Sequence, residues 1–476
     1  MTASSLHKVM GMGTESLFNA RVGIDVTGHN VANAHTEGYS RQIVETEPRP
    51  VATYGNFVFG TGAQVQTIRR AHDAYIEKQL RQEFQNNGHY NALTDGLKDI
   101  EDIFSPELSS TIRERADQFV NALREFSNYP EELPVRVSLA DTAAQLADSF
   151  NVTHANVERV QDNLTSEIRQ NLANTNAKLK EVAMLNVEIS SAEVGSKNPP
   201  NDLLDRRDKL IRELSELMDV NVYTVKGNKV VLRGPGDTLL VDEGLAAQFD
   251  FRNLDERGRL PSIHVSDLKS EGWTNINNKF TKGKIAGLVL ARDKYAERVR
   301  NQVNDFARDF ATEFNRVHQM GFGIAEFGNA SGRRFFLGVE DTEEPAQHIR
   351  VSETVMSSPE SISGALTANS PGDNIVANEL VRFFSEPKFA SGRMSFDNVY
   401  EQIIGHIGTD VQQAVDEKDA SNIVLAQIQQ NKESVSGVSM DEESQNMLKY
   451  QNAFNASSKL ITTADEMMQT ILDLKR

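Results

Sequence analysis

Apolar positions recur every seven residues at both ends of the chain. Met10, Leu17, Ile24 and Val31 form one series near the start, and Leu6, Gly13, Ala20, Thr27 and Ala34 form a second. Interleaved, the two step by 4 and 3, the spacing of a coiled-coil seam. The second series is made mostly of small residues, which predicts close approach of a partner helix. Near the other end, Met440, Met447, Phe454, Ile461 and Met468 follow the same rule, with Tyr450, Ser457, Ala464 and Ile471 three positions later. Ser439 with Glu442 fits a capping box, which marks the start of that helix. Two heptad helices at opposite ends predict that the termini pair with each other.

Between them the helical period dominates. It runs over about 70–104, 109–127, 135–194, 202–218, 284–319 and 394–433, with Asn198-Pro199-Pro200-Asn201 breaking the longest stretch. A pattern of about 60 helical residues spans roughly 90 Å. Strand-like alternation is confined to 43–68, beside the first helix, and to 220–242 with a weaker continuation over 245–282. Residues 321–375 are rich in Gly, Ser, Asn and Pro, with FF and IRV as strand fragments.

The fold class is therefore mainly α: an elongated helical rod whose terminal coiled-coil helices pair N with C, plus a small inserted β lobe. The expected division is 1–69 (axial-core coiled coil and β segment), 70–218 (rod), 219–282 (β lobe), 283–320 (rod), 321–393 (irregular outer segment), 394–435 (rod) and 436–476 (axial-core coiled coil).

Composition removes most chemistry. The chain has 476 residues, a formal charge of −18 and no cysteine. Disulfides, thiolate zinc sites and a cysteine nucleophile are excluded. So strong an acidic balance disfavours nucleic acid, whose binding rests on Lys and Arg. No apolar run approaches a membrane span, and the first residues lack the pattern of a cleaved secretory signal. His29 and His35 are six apart without a third ligand, so no metal is expected there. Gly11-Met12-Gly13 follows no strand and is no dinucleotide loop. Asp202, Asp205 and Asp208, interleaved with Arg206 and Arg207, read as the solvated start of a helix. Trp273 reads as packing within the β lobe, with an interface role as the alternative. No catalytic, cofactor-binding or metal-ligating set emerges.

The cluster GHNVANAHTEGYSRQ (28–42) reads as a polar junction between helix and sheet. Asn30, Asn33 and Thr36 can bond backbone near the helix end, Gly38 suits a left-handed residue after the last turn, and Tyr39 can bury its ring with its hydroxyl bonded.

Its core, Ala32, Asn33, Thr36, Gly38, Tyr39, Ser40, Arg41 and Gln42, resembles the N-terminal signature of bacterial flagellar rod, hook and hook-associated proteins. The C-terminal segment 436–472 resembles the hook-associated protein 1 branch of that family. Ser436, Gly437, Val438, Asp441, Glu442 and Glu443 match its SGVxxDEE string. Tyr450, Gln451, Ala453, Phe454, Ala456 and Ser457 match the run that follows. Segments 201–214, 283–293 and 314–323 are similar to family segments at the same relative places.

The resemblance implies a structural protein joining hook to filament as a ring of subunits, transmitting torque without catalysis. It implies an extracellular place in the flagellum, reached through the flagellar type III apparatus without a cleaved signal. The implied partners are hook protein, hook-associated protein 3, further copies of the chain, and an export chaperone on the C-terminal helix. The implied assembly motifs are Asn30, Asn33, Thr36, Gly38 and Tyr39 at one end, and Ser439, Asp441, Glu442, Glu443, Tyr450, Gln451 and Phe454 at the other. The rival expectations are a hook or distal rod protein and, from another class, a helical enzyme with its site in the β lobe.

Overall fold

The computed structural model describes all residues except 1–2, 55–56, 106–110, 196–197, 226–227, 255–258, 269–271, 341, 390–391 and 474–476. The terminal heptads form helices α1 (Ala3–Ala32) and, at the far end of the chain, α12 (Met440–Asp473), which lie along each other. After α1 comes a long hairpin. β1 (Gln42–Pro48) pairs antiparallel with β4 (Ala63–Arg70), and β2 (Ala52–Tyr54) pairs with β3 (Phe57–Phe59) at its tip. The hairpin is held to α1 through Asn19, which donates to the Ala63 carbonyl at 2.7 Å and accepts from the Val65 N–H at 3.2 Å.

The rod begins with α2 (Ala74–Asp102), whose first turn is capped by Asp73, accepting from the N–H groups of Tyr75 and Ile76. α3 (Ile112–Asn128) is capped in the same way by Thr111. α4 (Leu133–Glu193) runs unbroken for 61 residues, and α5 (Asn201–Leu217) turns back along it after the two prolines. Close packing in this region needs a glycine: a Cβ on Gly88 of α2 would sit 2.1 Å from the Glu216 carbonyl of α5.

The β lobe holds two small antiparallel sheets. One is β5 (Asn221–Thr224), β6 (Val230–Arg233), β7 (Leu239–Asp242) and β8 (Leu245–Ala246) in sequential order. The other places β10 (Pro261–Ser266) between β9 (Phe249–Leu254) and β11 (Trp273–Asn275). Trp273 carries the Arg252 guanidinium 3.6 Å from its ring centre.

The chain re-enters the rod as α6 (Lys284–Leu290), which continues through a π-helical turn (Ala291–Ala296) into α7 (Glu297–His318). Next come β12 (Phe336–Leu337), α8 (Pro345–His348), β13 (Arg350–Val351), which pairs with β12, and α9 (Glu353–Ser357). α10 (Ile375–Ser385) and the 41-residue α11 (Phe396–Ser436) lead to α12.

The FF and IRV fragments thus pair with each other. The rest of 321–393 differs from the irregular outer segment expected. It supplies Phe335, Phe336, Phe383, Phe384 and Phe389 to the interior of the rod. There they meet Phe119 of α3, Phe306, Phe310 and Phe314 of α7, and Phe396 of α11, with Phe150 of α4 packed behind Phe306 and Phe310, and ring centroids across the cluster lie 4.7–6.3 Å apart. This segment closes the largest aromatic cluster of the core.

Candidate functional site

The two terminal helices meet through their small residues. Leu6, Gly13, Ala20 and Thr27 are buried in α1, and Ser457 and Ala464 are buried in α12. A Cβ on Gly13 would fall 2.7 Å from Ile461, and one on Gly23 would fall 2.5 Å from the Tyr450 ring. The Ser16 and Ser457 hydroxyls touch at 2.8 Å. Backbone approach this close leaves no room for large side chains between the axes. Met10, Leu17, Ile24 and Val31 therefore flank the contact half-buried, as do Met447, Phe454, Ile461 and Met468.

At the end nearest the rod the contact becomes polar. Asn30 is buried and uses all four of its hydrogen-bonding positions. Its carbonyl accepts from the Tyr39 hydroxyl at 2.7 Å and the Gln42 N–H at 2.9 Å, and its amide donates to the Gln42 carbonyl at 3.0 Å and to Glu443 of α12 at 3.1 Å. Glu443 is buried, and the Arg41 guanidinium lies 2.8 Å from it. The same guanidinium donates to Glu442 at 2.7 Å. Ser439 accepts from the Glu442 N–H at 3.4 Å as a cap, but the Glu442 carboxylate is turned to Arg41 instead of completing a capping box. Burial, reinforced by Asp202, Asp205 and Glu443, raises the Tyr39 pKa, so the phenol stays protonated and donates to Asn30.

Asn33 and Thr36 stabilise the turn itself. Asn33 donates to the His29 carbonyl at 3.0 Å and accepts from Thr36 at 3.2 Å. Gly38 has a φ of +87°, the left-handed conformation its position predicts. His29 pairs through Nδ1 with the Tyr39 hydroxyl at 3.0 Å. Asp441 and Gln451 are exposed and stand apart from this cluster.

The sequence reading missed the other half of the junction. Asp205 and Arg207 are buried, which corrects their assignment to a solvated face. Asp205 accepts from the Ser40 N–H at 3.0 Å and hydroxyl at 2.8 Å, and from Arg70 at 2.7 Å; Arg70 also donates to Asp208 at 2.9 Å. One turn further on, Glu77 accepts from Arg212 at 3.1 Å, and Lys432 of α11 lies 3.8 Å from it. These groups join α1, the hairpin, α2, α5, α11 and α12 at one node. The motif residues Ser40 and Arg41 were the available signal; their partners lie 165 and 401 positions away and carry no local mark.

Elsewhere, one cluster of ligand-capable groups occurs among the described residues: His154, Glu158 and Glu344. Arg300 donates to His154 at 3.3 Å and pairs with Glu344, so a guanidinium already stands where a cation would. His318 is fully buried, with Nδ1–H donating to the Arg333 carbonyl at 2.9 Å and Nε2 accepting from the Ser363 N–H at 3.0 Å; burial pushes its pKa down to about 4. Among the described residues no helix is long and apolar enough to cross a membrane.

Comparison with known proteins agrees with this architecture. The family model described as flagellar hook-associated protein FlgK helical domain matches residues 97–336. The model for the C-terminal part of flagellar basal body rod FlgEFG proteins matches 429–474. The chain is 26% identical to flagellar hook-associated protein 1 of Bacillus subtilis (strain 168), covering 98% of each. It is 21% identical to the protein of that name from Escherichia coli (strain K12), covering 96% of this chain and 97% of that one. The flagellar hook junction protein FlgK from Burkholderia pseudomallei shares the fold, with a TM-score of 0.67 at 12% identity over 75% of this chain and 100% of the other. With the helical-domain match extending over half its length, the chain belongs to the flagellar hook-associated protein FlgK family and is a structural component of the bacterial flagellum.

Proposed function

We propose that the chain joins hook to filament as a ring of subunits and transmits torque through packed helices, without catalysis. The observation that carries this reading is the terminal pair, closed along its axis by small residues, locked at one end by Asn30, Arg41 and Glu443, and pinned to the rod where Ser40 bonds Asp205 of α5 and the Arg41 N–H bonds Ser436 of α11. Its larger heptad residues stay half-exposed, with Phe18, Leu448, Leu460 and Leu472 more exposed still. Such a surface suits association with other axial subunits. Its partners are hook protein on one side, hook-associated protein 3 on the other, and neighbouring copies in the ring.

The same apolar surface on α12 calls for an export chaperone before assembly. A cysteine-free chain suits passage through the flagellar type III apparatus to an extracellular site, since nothing has to be reduced first. Deletion of residues 436–476 tests the assignment. Complete hooks without filaments, with filament subunits shed into the medium, are expected. Shortened or missing hooks would move the protein to the rod or hook, and normal filaments would overturn the reading.

A further inference from the structure

One flank of the rod carries a second apolar stripe that the fold does not cover. Along α4, positions 173, 177, 180, 184 and 187 step by 4 and 3 and all are exposed: Ala173, Ala177, Lys180, Met184 and Val187. Met184 and Val187 are each 51% exposed. The turn between β7 and β8 lies on this stripe at Gly244, where a Cβ would meet Val187 at 2.9 Å. That sets Leu245, 59% exposed, beside the helix and forms a groove of about 430 Å³ lined by Ala177, Lys180, Met184 and Leu245. Its apolar walls and single lysine give it a ligand chemistry: an apolar side chain with a carboxylate nearby.

The opposite flank of the same layer presents that combination. On α11, Ile423 is 72% exposed and Val424 lies beside it, also exposed. One turn before Ile423 is the exposed Asp419, as Lys180 is one turn before Met184. Ion pairs order the helices between: Lys178 of α4 with Glu213 of α5, Arg212 of α5 with Glu77 of α2, and Glu77 with Lys432 of α11. α5 and α2 therefore separate the two stripes. α4 and α11 both run toward the terminal pair, since α4 leads through 198–201 to the hairpin and Ser436 of α11 accepts from Arg41.

We propose that neighbouring copies of this chain meet head to tail, with Ile423 and Val424 of one copy seated in the Met184–Leu245 groove of the next. In this parallel register Ile423 lies beside Met184, and Asp419 falls beside Lys180. Spacing, direction and charge agree at once. A contact between two different patches on opposite flanks propagates around a ring or a helical turn instead of closing a dimer. A copy seated this way is displaced along the rod by roughly four helical turns, about 20 Å, so the ring is staggered. The inference rests on the ring reading above and adds the surfaces that build it.

The absence of native cysteine makes the test direct. Met184→Cys and Ile423→Cys are introduced singly and together, and assembled flagella are oxidised and analysed under non-reducing conditions. Disulfide-linked oligomers of the chain are expected in the double variant and in a mixture of the two single variants, with none from either alone. Charge provides a second reading: Lys180→Asp is expected to lower the cross-linking yield several-fold, and Asp419→Lys in the same chain to restore it. A lysine-reactive cross-linker on the same samples separates the two proposals. Copy-to-copy products from it without the disulfide would overturn this interface and leave the ring standing. Loss of both would overturn the ring as well, and capture of a different flagellar subunit by Met184→Cys would show that the groove has another occupant.

Discussion

The rod and the terminal pair are both helical, and they are held together by opposite means. The rod buries large side chains: Phe310 alone touches the rings of Phe150, Phe314, Phe336, Phe383, Phe384 and Phe396. The terminal pair buries glycine, alanine and serine, keeps its larger residues half-exposed, and secures one end with a buried carboxylate. The rod closes its aromatic core within one chain and leaves only flanking stripes uncovered, whereas the pair leaves its own seam residues half-exposed. A helical period alone does not separate these cases; the size of the residues at the seam does.

The contrast is broken most severely in the rod. Phe310→Ala should cost about 3–5 kcal/mol in denaturant unfolding, because the cavity lies among aromatic rings on every side. A loss under 1 kcal/mol would show that the cluster is not the core of the rod.

Acid should act on the rod next. The native pKa of His318, about 4, lies below the 6.5 of an unconstrained histidine. The unfolded chain therefore binds the proton first. The neutral imidazole's contribution is complete above about pH 6.5 and is lost as the pH falls toward 4, by about 3 kcal/mol in all. His318→Gln should be less stable at pH 7 and show a shallower decline over that window. Parallel curves for the two proteins would remove His318 as the cause.

The node offers a middle-sized effect. Glu443→Gln leaves Arg41 without its buried partner and should weaken the α1–α12 contact by about 1–3 kcal/mol, with the rod transition unchanged. Smaller still, two glycines of α1 separate packing from propensity. Gly28→Ala meets nothing within 4 Å and should favour the helix by under about 1 kcal/mol. Gly23→Ala places a methyl against Tyr450 and should open the pair despite the same gain in propensity. Hydrogen exchange across α1 and α12 reads both changes. In dilute monomer the exchange of these two helices should already be fast beside that of α4, and equal protection would erase the difference between pair and rod.

Much of this was legible beforehand. The terminal heptads, the break at Asn198–Asn201 and the left-handed turn at Gly38 each carry a local mark. The aromatic closure over 321–393 did not stand out, because its phenylalanines come from short elements set among Gly, Ser and Pro. In α10 the signal was present, with Val376, Leu380, Phe383 and Phe384 at helical spacing, but the flanking turn residues dominated the reading. Asp205 and Arg207 were misread for another reason. Charged residues in the first turns of a helix are usually solvated, and their burial here depends on Ser40, Arg70 and Asn186, which are remote in sequence.

The bond between Asn30 and Glu443 spans 413 positions. A ribosome releases the chain from its N-terminus at about 5–20 residues per second, so the first helix emerges tens of seconds before the one that covers it. Through that interval the face of α1 that carries Leu6, Gly13 and Gly23 lacks its α12 partners Leu460, Ile461 and Tyr450, while α2 to α11 can already collapse on one another. The last helix to appear completes the first, and any truncation of the message that removes it leaves an otherwise foldable rod with an adhesive end.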